Sequence, residues 1–280
     1  MAVWQATCRF SCGGARFDNQ VLARSDESGA FLASAGALAA ARGWSLDGFA
    51  PLAAPPRPCT DPALIGYLGQ HEAALLTPAG QPMAHVTRLT GIEPLDAQFG
   101  RYPKRDLPEA LEPWIFGAGG RFCYALLDGA RVAQLPGMLA GSLLEHASLF
   151  QGKAQADMAE VAPYLVRLEP SSPFTRRLFT RPGVLGGLWG QEGGVLLLSD
   201  APLADLRKQL RKYTRIQGDG GKWFYFRFWE PRVFRANLSQ YDAATMHAFL
   251  GPVEAALCPG ADEDEMLIFE TPPQTEDITA

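Results

Sequence analysis

Val195-Leu196-Leu197-Leu198 carries an apolar side chain at every position, so a strand formed there has no face to give to water. Such a strand belongs inside a sheet that is covered on both sides, and the same chain must supply the covering layers. Two further apolar strands are read at Phe122 to Leu127 and at Pro163 to Leu168. Helical stretches lie between and after them. In the clearest, Leu203 to Tyr213, the residues Leu203, Leu206, Leu210 and Tyr213 share one stripe, with Arg207, Lys208, Arg211 and Lys212 opposite. The expectation is an α/β fold, with α+β as its variant, made of two lobes whose mixed sheets are flanked by helices. A chain of 280 residues with 47% hydrophobic side chains can bury cores of that size.

The first lobe opens with alternating apolar and polar residues from Val3 to Phe10 and again around Val21 to Ala23, the period of half-buried strands. Ser25 and Asp26 offer capping oxygens to an Ala-rich helix from Ser28 to Arg42, and Gly43 supplies its stop. Prolines 51, 55, 56 and 58 fix dihedrals and remove amide donors, so Pro51 to Asp61 reads as a connection. A second break at Arg101 to Asp106 precedes an expected helix at Leu107 to Phe116 that Gly117 to Gly120 ends. These breaks divide the chain into an N-terminal α/β lobe (1–105), a second domain (106–255) and an acidic C-terminal tail (256–280).

Charge is unevenly spread. The formal net charge is -5, which argues against wholesale nucleic-acid binding. Arg207 to Arg235 carries nine basic residues against two acidic ones, whereas Glu254 onward carries eight acidic residues and no basic one. Two solvated surfaces account for this, or an acidic tail that covers the basic surface until a partner displaces it. The opening Met1-Ala2-Val3-Trp4-Gln5 lacks the features of a secretory signal, and no window is apolar enough to span a membrane, so a cytoplasmic protein is expected. Cys8, Cys12, Cys59, Cys123 and Cys258 are too few and scattered for a disulfide scaffold. No half-site completes a zinc cluster around Cys8 and Cys12.

The run Lys222-Trp223-Phe224-Tyr225-Phe226-Arg227-Phe228-Trp229-Glu230-Pro231-Arg232 concentrates aromatic and cationic side chains. As one strand it would send Phe224, Phe226 and Phe228 to a core face and Trp223, Tyr225, Arg227 and Trp229 to the other. The second set is the mixture enriched at protein interfaces, although both faces could equally be buried in a two-layer packing. Glu230-Pro231-Arg232 would end the strand in a rigid turn whose charges pair with neighbours or with a partner.

Chemistry-bearing motifs do not emerge. His71, His85, His146 and His247 lack the spacing of a helical metal pair, and His71-Glu72 lacks the second histidine of a zinc-protease helix. Ser142 is followed by Leu143 and Leu144, so there is no nucleophile elbow. Gly218-Asp219-Gly220-Gly221-Lys222 is followed by Trp223 where a phosphate loop needs Ser or Thr, and Gly183 to Gly194 never spells a dinucleotide fingerprint. No catalytic residue, metal ligand or cofactor is therefore expected, and the chain is read as a non-enzyme. A nucleic-acid-binding module using the basic aromatic strand is the alternative, and an uncharacterised enzyme a more remote one.

The second half resembles the effector chaperones, or adaptors, of bacterial type VI secretion. The blocks that carry the resemblance are Tyr124 to Asp128, Leu149 to Gly152, Ala162 to Leu168, Leu197 to Ser199 with the basic helix Leu203 to Tyr213, and Phe226 to Val233. Family members show Phe-Arg-Phe-aromatic-Asp-Pro-Arg in the last block, where this chain has Glu230 in place of Asp. The resemblance implies a cytoplasmic, non-enzymatic protein that binds a toxic secreted effector and helps load it onto the spike-tip protein; with the acidic net charge and the lack of an apolar span, neither nucleic-acid binding nor membrane insertion is expected. It implies a partner-binding set of Trp223, Tyr225, Arg227, Trp229, Glu230, Pro231 and Arg232. Residues 1 to about 105 lie outside it.

Overall fold

The computed structural model describes residues 2–12, 14–50, 55–69, 71–116, 121–184 and 186–271. In chain order the elements begin with β1 (Trp4–Cys12), β2 (Ala15–Ala23), α1 (Ser28–Ala41), β3 (Ser45–Phe49), β4 (Arg57–Pro58), α2 (Pro62–Leu68), β5 (Ala73–Leu76) and β6 (His85–Leu89). They continue with β7 (Phe122–Asp128), α3 (Leu135–Ser142), β8 (His146–Ser148), α4 (Gly152–Asp157), β9 (Pro163–Leu168), α5 (Pro173–Leu178), β10 (Gly194–Ser199) and α6 (Leu203–Arg211). The remainder is β11 (Arg215–Gln217), β12 (Trp223–Tyr225), α7 (Pro231–Leu238), α8 (Ala243–Leu250), β13 (Ala255–Pro259) and β14 (Met266–Glu270). This is an α/β chain, and β1 with β2, β3 and β4, β2 with β5, β7 with β9 and β10, β8 with β9, and β10 with β13 all pair antiparallel. No helix among the described residues is long and apolar enough to cross a membrane.

Two compact units result. One comprises residues up to Thr87 with Leu238–Ala248 and the segment from Phe269 on, and the other comprises Arg88–Asn237 with Phe249–Ile268. The division falls upstream of residue 105. The break at Arg101 to Asp106 is instead a loop inside the larger unit, where the Asp106 carboxylate accepts from Arg176 Nη2 at 2.7 Å and from the Ser171 amide at 2.8 Å.

In the smaller unit the sheet order is β3-β1-β2-β5, with β4 also on β1. The period-2 alternation of its strands sorts side chains to two faces. Cys8, Phe10, Val21, Ala23, Ala73 and Leu75 pack with Phe31, Ala35 and Leu38 of α1. Leu22, Ala74 and Leu76 pack with Tyr67 and Leu68 of α2. Helix α1 forms over the expected span, but its cap residue is Glu27 and makes no side-chain bond, so Ser25 and Asp26 do not cap it. Helix α2, which the proline-rich stretch concealed, starts where Asp61 accepts from the Ala63 amide at 2.9 Å and Pro62 presets the first turn.

The larger unit is built on a sheet of order β6-β14-β13-β10-β7-β9-β8. Strand β10 lies inside it, antiparallel to β7 and β13, and Val195 to Leu198 are all buried, as their unbroken apolar run requires. Leu203, Leu206 and Leu210 of α6 form its buried stripe. The basic residues opposite are not simply solvated. Arg207 Nε donates to the Ser148 carbonyl at 2.6 Å and Arg211 Nε to the Leu149 carbonyl at 3.0 Å, satisfying backbone oxygens beside β8.

Two further expectations are corrected. Leu107 to Phe116 forms only a 3-10 turn at Glu109–Leu111, because Pro108 and Pro113 remove the amide donors a longer helix needs; the Gly117 to Gly120 stop lies outside the described residues. The segment from 256 is no acidic tail as far as Glu270, because β13 and β14 are interior strands of the larger sheet, apolar and buried. The acids cluster in the turn between them, where buried Glu265 pairs with Arg88 and accepts from the Ala261 amide at 2.8 Å. Residues 272–280 lie outside the described set.

Candidate partner-docking site

The aromatic run is not one strand. Only Trp223–Tyr225 is extended, paired antiparallel with β11 as Arg215↔Tyr225, Ile216↔Phe224 and Gln217↔Trp223 in a two-stranded ribbon of its own. Gly218, Gly220 and Gly221 form the hairpin turn between β11 and β12. Gly220 and Gly221 take φ of 77° and 78°, a region that costs a side-chain-bearing residue energy. The Gly218 amide donates to the Lys222 carbonyl at 2.9 Å, and a Cβ on Gly218 would stand 2.8 Å from the Phe224 ring. At the open end the Phe226 amide donates to the Thr214 carbonyl at 3.1 Å.

Both faces of this ribbon meet water. Trp223 is 62% exposed, Phe224 53%, Tyr225 47% and Ile216 46%. Alternation puts Arg215, Gln217, Trp223 and Tyr225 on one face, where the Arg215 guanidinium lies 5.7 Å from the Trp223 ring centre. Tyr225 anchors that face to the body, its ring 5.3 Å from that of Phe150. Ile216 and Phe224 form the other face. Four large apolar side chains held on a ribbon with no sheet behind it make an exposed patch of the kind that marks interaction surfaces.

Past Tyr225 the chain turns inward. Phe226 is half-buried and Phe228 is buried, and both rings approach Phe249, at 6.3 and 5.1 Å. Trp229 is 2% exposed, set edge-on to Phe228 at 5.3 Å and to Phe150 at 6.2 Å, with its buried Nε1 unpartnered. The expectation of a core face through Phe224, Phe226 and Phe228 and an outer face through Trp229 is therefore corrected: Phe224 is outside and Trp229 inside. The extended ribbon ends at Tyr225, a turn follows at Phe228 and Trp229, and Pro231, whose fixed φ suits the first turn of α7, starts a helix where the alternation would have continued.

Arg227, Glu230 and Arg232, the charged residues at the inward end of the run, are engaged within the larger unit. Arg227 Nη2 lies 2.5 Å from the carboxylate of buried Asp128, which also accepts from the Ala130 amide at 3.0 Å. Glu230 faces Arg131 at 3.5 Å, and Arg232 faces Glu192 at 3.2 Å. Glu230-Pro231-Arg232 is thus the start of a helix tied to the loops after β7 and before β10. Arg131, Glu192 and Arg232 also line a cavity of about 370 Å³ whose apolar floor includes Trp189 and Met266.

Among the described residues, one group has donors close enough to share a metal ion: His71, His85 and Glu270, in the smaller unit. Burial, and then the neighbouring His71 and Arg42, push the His85 imidazole down to about 4, so it is neutral at physiological pH. The same loss of hydration pushes the Cys8, Cys123 and Cys258 thiols up to about 12.

A family model described as a domain of unknown function, DUF4123, matches residues 123–248. The match begins within β7 and takes in the hairpin and the Glu230-Pro231-Arg232 turn. No curated protein and no solved structure matches the chain.

Proposed function

We propose that the chain is a non-enzymatic adaptor that grips a secreted effector protein, in the manner of the type VI secretion chaperones it resembles, and hands it to the spike-tip protein. The observation that carries this reading is the β11–β12 ribbon. Trp223 and Tyr225 present rigid aromatic area beside Arg215, a composition enriched at binding hot spots, and Phe224 with Ile216 adds an apolar face behind them. A docked effector would cover side chains that the isolated fold leaves wet. The family match across residues 123–248 supports the same reading, since it spans both the ribbon and the residues that hold it.

The grip narrows to Trp223, Tyr225, Phe224 and Ile216. Arg227, Glu230 and Arg232 act at one remove, by fixing the start of α7, and Trp229 acts through the core. The thiols of Cys8, Cys123 and Cys258, buried and held protonated, are not themselves nucleophiles at physiological pH. A cytoplasmic location accords with these free thiols, since a reducing compartment keeps cysteines unpaired.

Co-expression with a candidate toxin drawn from the same genome tests the proposal. The chain should co-purify with that toxin, and Trp223→Ala should weaken capture about thirtyfold, the equivalent of ~2 kcal/mol at a hot spot, with an unchanged circular dichroism spectrum. Capture that survives the Trp223→Ala, Tyr225→Ala double variant would refute the ribbon as the grip. Tight single-strand nucleic-acid binding with a steep salt dependence, in the absence of toxin capture, would refute the adaptor reading itself.

A further inference from the structure

His71 and His85 are separated by helix-free sequence and lie far from Glu270 along the chain, yet the fold of the smaller unit brings all three together. The imidazole rings stack with centroids 3.7 Å apart and an interplanar angle of 24°. Their ring nitrogens and a Glu270 carboxylate oxygen lie within 4.8 Å of one another. Each donor comes from a separately anchored segment. His71 follows α2, its amide bonded to the Leu68 carbonyl at 2.9 Å. Arg24, just past β2, clamps that turn, donating Nε to the His71 carbonyl at 3.2 Å and its backbone amide to the Glu72 carbonyl at 3.1 Å, with Nη2 on the Gly69 carbonyl. His85 is the first residue of β6 and Glu270 the last of β14, strands that neighbour one another. All three side chains are half-buried, shielded but within reach of solvent.

We propose that His71, His85 and Glu270 form a binding site for a divalent transition-metal ion, with zinc the ion its donors suit best. Two imidazole nitrogens and one carboxylate oxygen are a donor set that zinc accepts in tetrahedral sites with one open position. Calcium and magnesium prefer oxygen donors alone, so the two imidazoles select against them. Zinc bonds of about 2.0–2.1 Å would set donors roughly 3.4 Å apart. Donors at the 4.8 Å limit must therefore close by roughly 1.4 Å, within reach of side-chain rotation. Three protein donors leave the fourth position to water or to a donor on a docked molecule.

One neighbour opposes a cation. Arg42 is fully buried nearby, donating Nη1 to the Leu38 carbonyl at 3.3 Å and Nη2 to the Ala84 carbonyl, with its Nε unpartnered. The Glu270 carboxylate supplies the offsetting negative charge. The Tyr67 hydroxyl is committed to the Met83 carbonyl and is no competitor for the metal.

The test uses the full chain without a histidine tag, stripped with chelator and titrated with zinc against a chromophoric chelator while its melting temperature is followed. One zinc per chain and a rise in melting temperature are expected. His71→Ala, His85→Ala and Glu270→Gln should each weaken binding tenfold or more, and Cys12→Ser, which alters the exposed thiol, should change nothing. Glu270→Gln preserves shape and so remains informative if a histidine variant fails to fold. Absence of saturable binding in the unaltered chain would overturn the proposal, as would undiminished binding in Glu270→Gln or a loss caused by Cys12→Ser.

Discussion

Trp223 and Trp229 stand six residues apart in one aromatic run, and the fold treats them as opposites. The first rides on a two-stranded ribbon with 62% of its surface in water; the second is wedged between Phe150 and Phe228 with 2%. Identical side chains in similar local composition thus take different tasks, and what separates them is backbone path. Upstream, positive-φ glycines and a partner strand hold the chain extended and away from the body. Downstream, Arg227 on buried Asp128 and Pro231 at the head of α7 pull it in. Exposure of an aromatic residue here reports topology rather than sequence.

The largest expected effect comes from the buried end. Trp229→Ala removes a large core ring and should cost about 3–5 kcal/mol of folding stability, read as a shifted denaturant midpoint. Arg227→Glu sets a second carboxylate against Asp128; because Arg227 is partly exposed the cost is tempered, to about 1.5–3 kcal/mol. This variant loses capture through the fold, and not, as an outward-facing Arg227 would, at constant stability. Gly220→Ala sets a side chain on backbone at φ 77° and should destabilise the ribbon by about 1 kcal/mol, with proteolysis at the hairpin as its readout. Trp223→Ala should change stability by less than about 0.5 kcal/mol while carrying the binding loss described above. If Trp223→Ala and Trp229→Ala proved equally destabilising, the contrast between the two ends would collapse.

The sequence revealed elements whose burial is written into local periodicity. Strand β9 spans Pro163–Leu168 as its apolar run indicates, β10 is the covered strand its composition demands, and α1 follows its Ala-rich stretch. It misled where one signal masked another. Alternating aromatics from Trp223 to Trp229 imitate a long strand, while the feature that breaks it, Pro231 acting as a helix start, looks like a mere terminator. The eight acids from Glu254 onward suggested a tail because a charge count ignores order: Ala255 to Cys258 and Met266 to Phe269 are apolar strands, and four of the acids, Asp262 to Glu265, sit in the turn between them. The His71, His85 and Glu270 group was invisible for a different reason. Its spacing matches no local motif, since α2, β6 and β14 bring the donors together only through tertiary structure.

Strand β14 has a consequence for how the molecule is made. It separates β6 from β13 in the larger sheet, so β6 has its sheet neighbour only after residues about 180 positions later have been synthesised. At elongation rates of about 5–20 residues per second that interval is roughly 10–35 s. During it a nascent β6 has water in place of its strand partner, a window in which pairing with another chain competes with the native register.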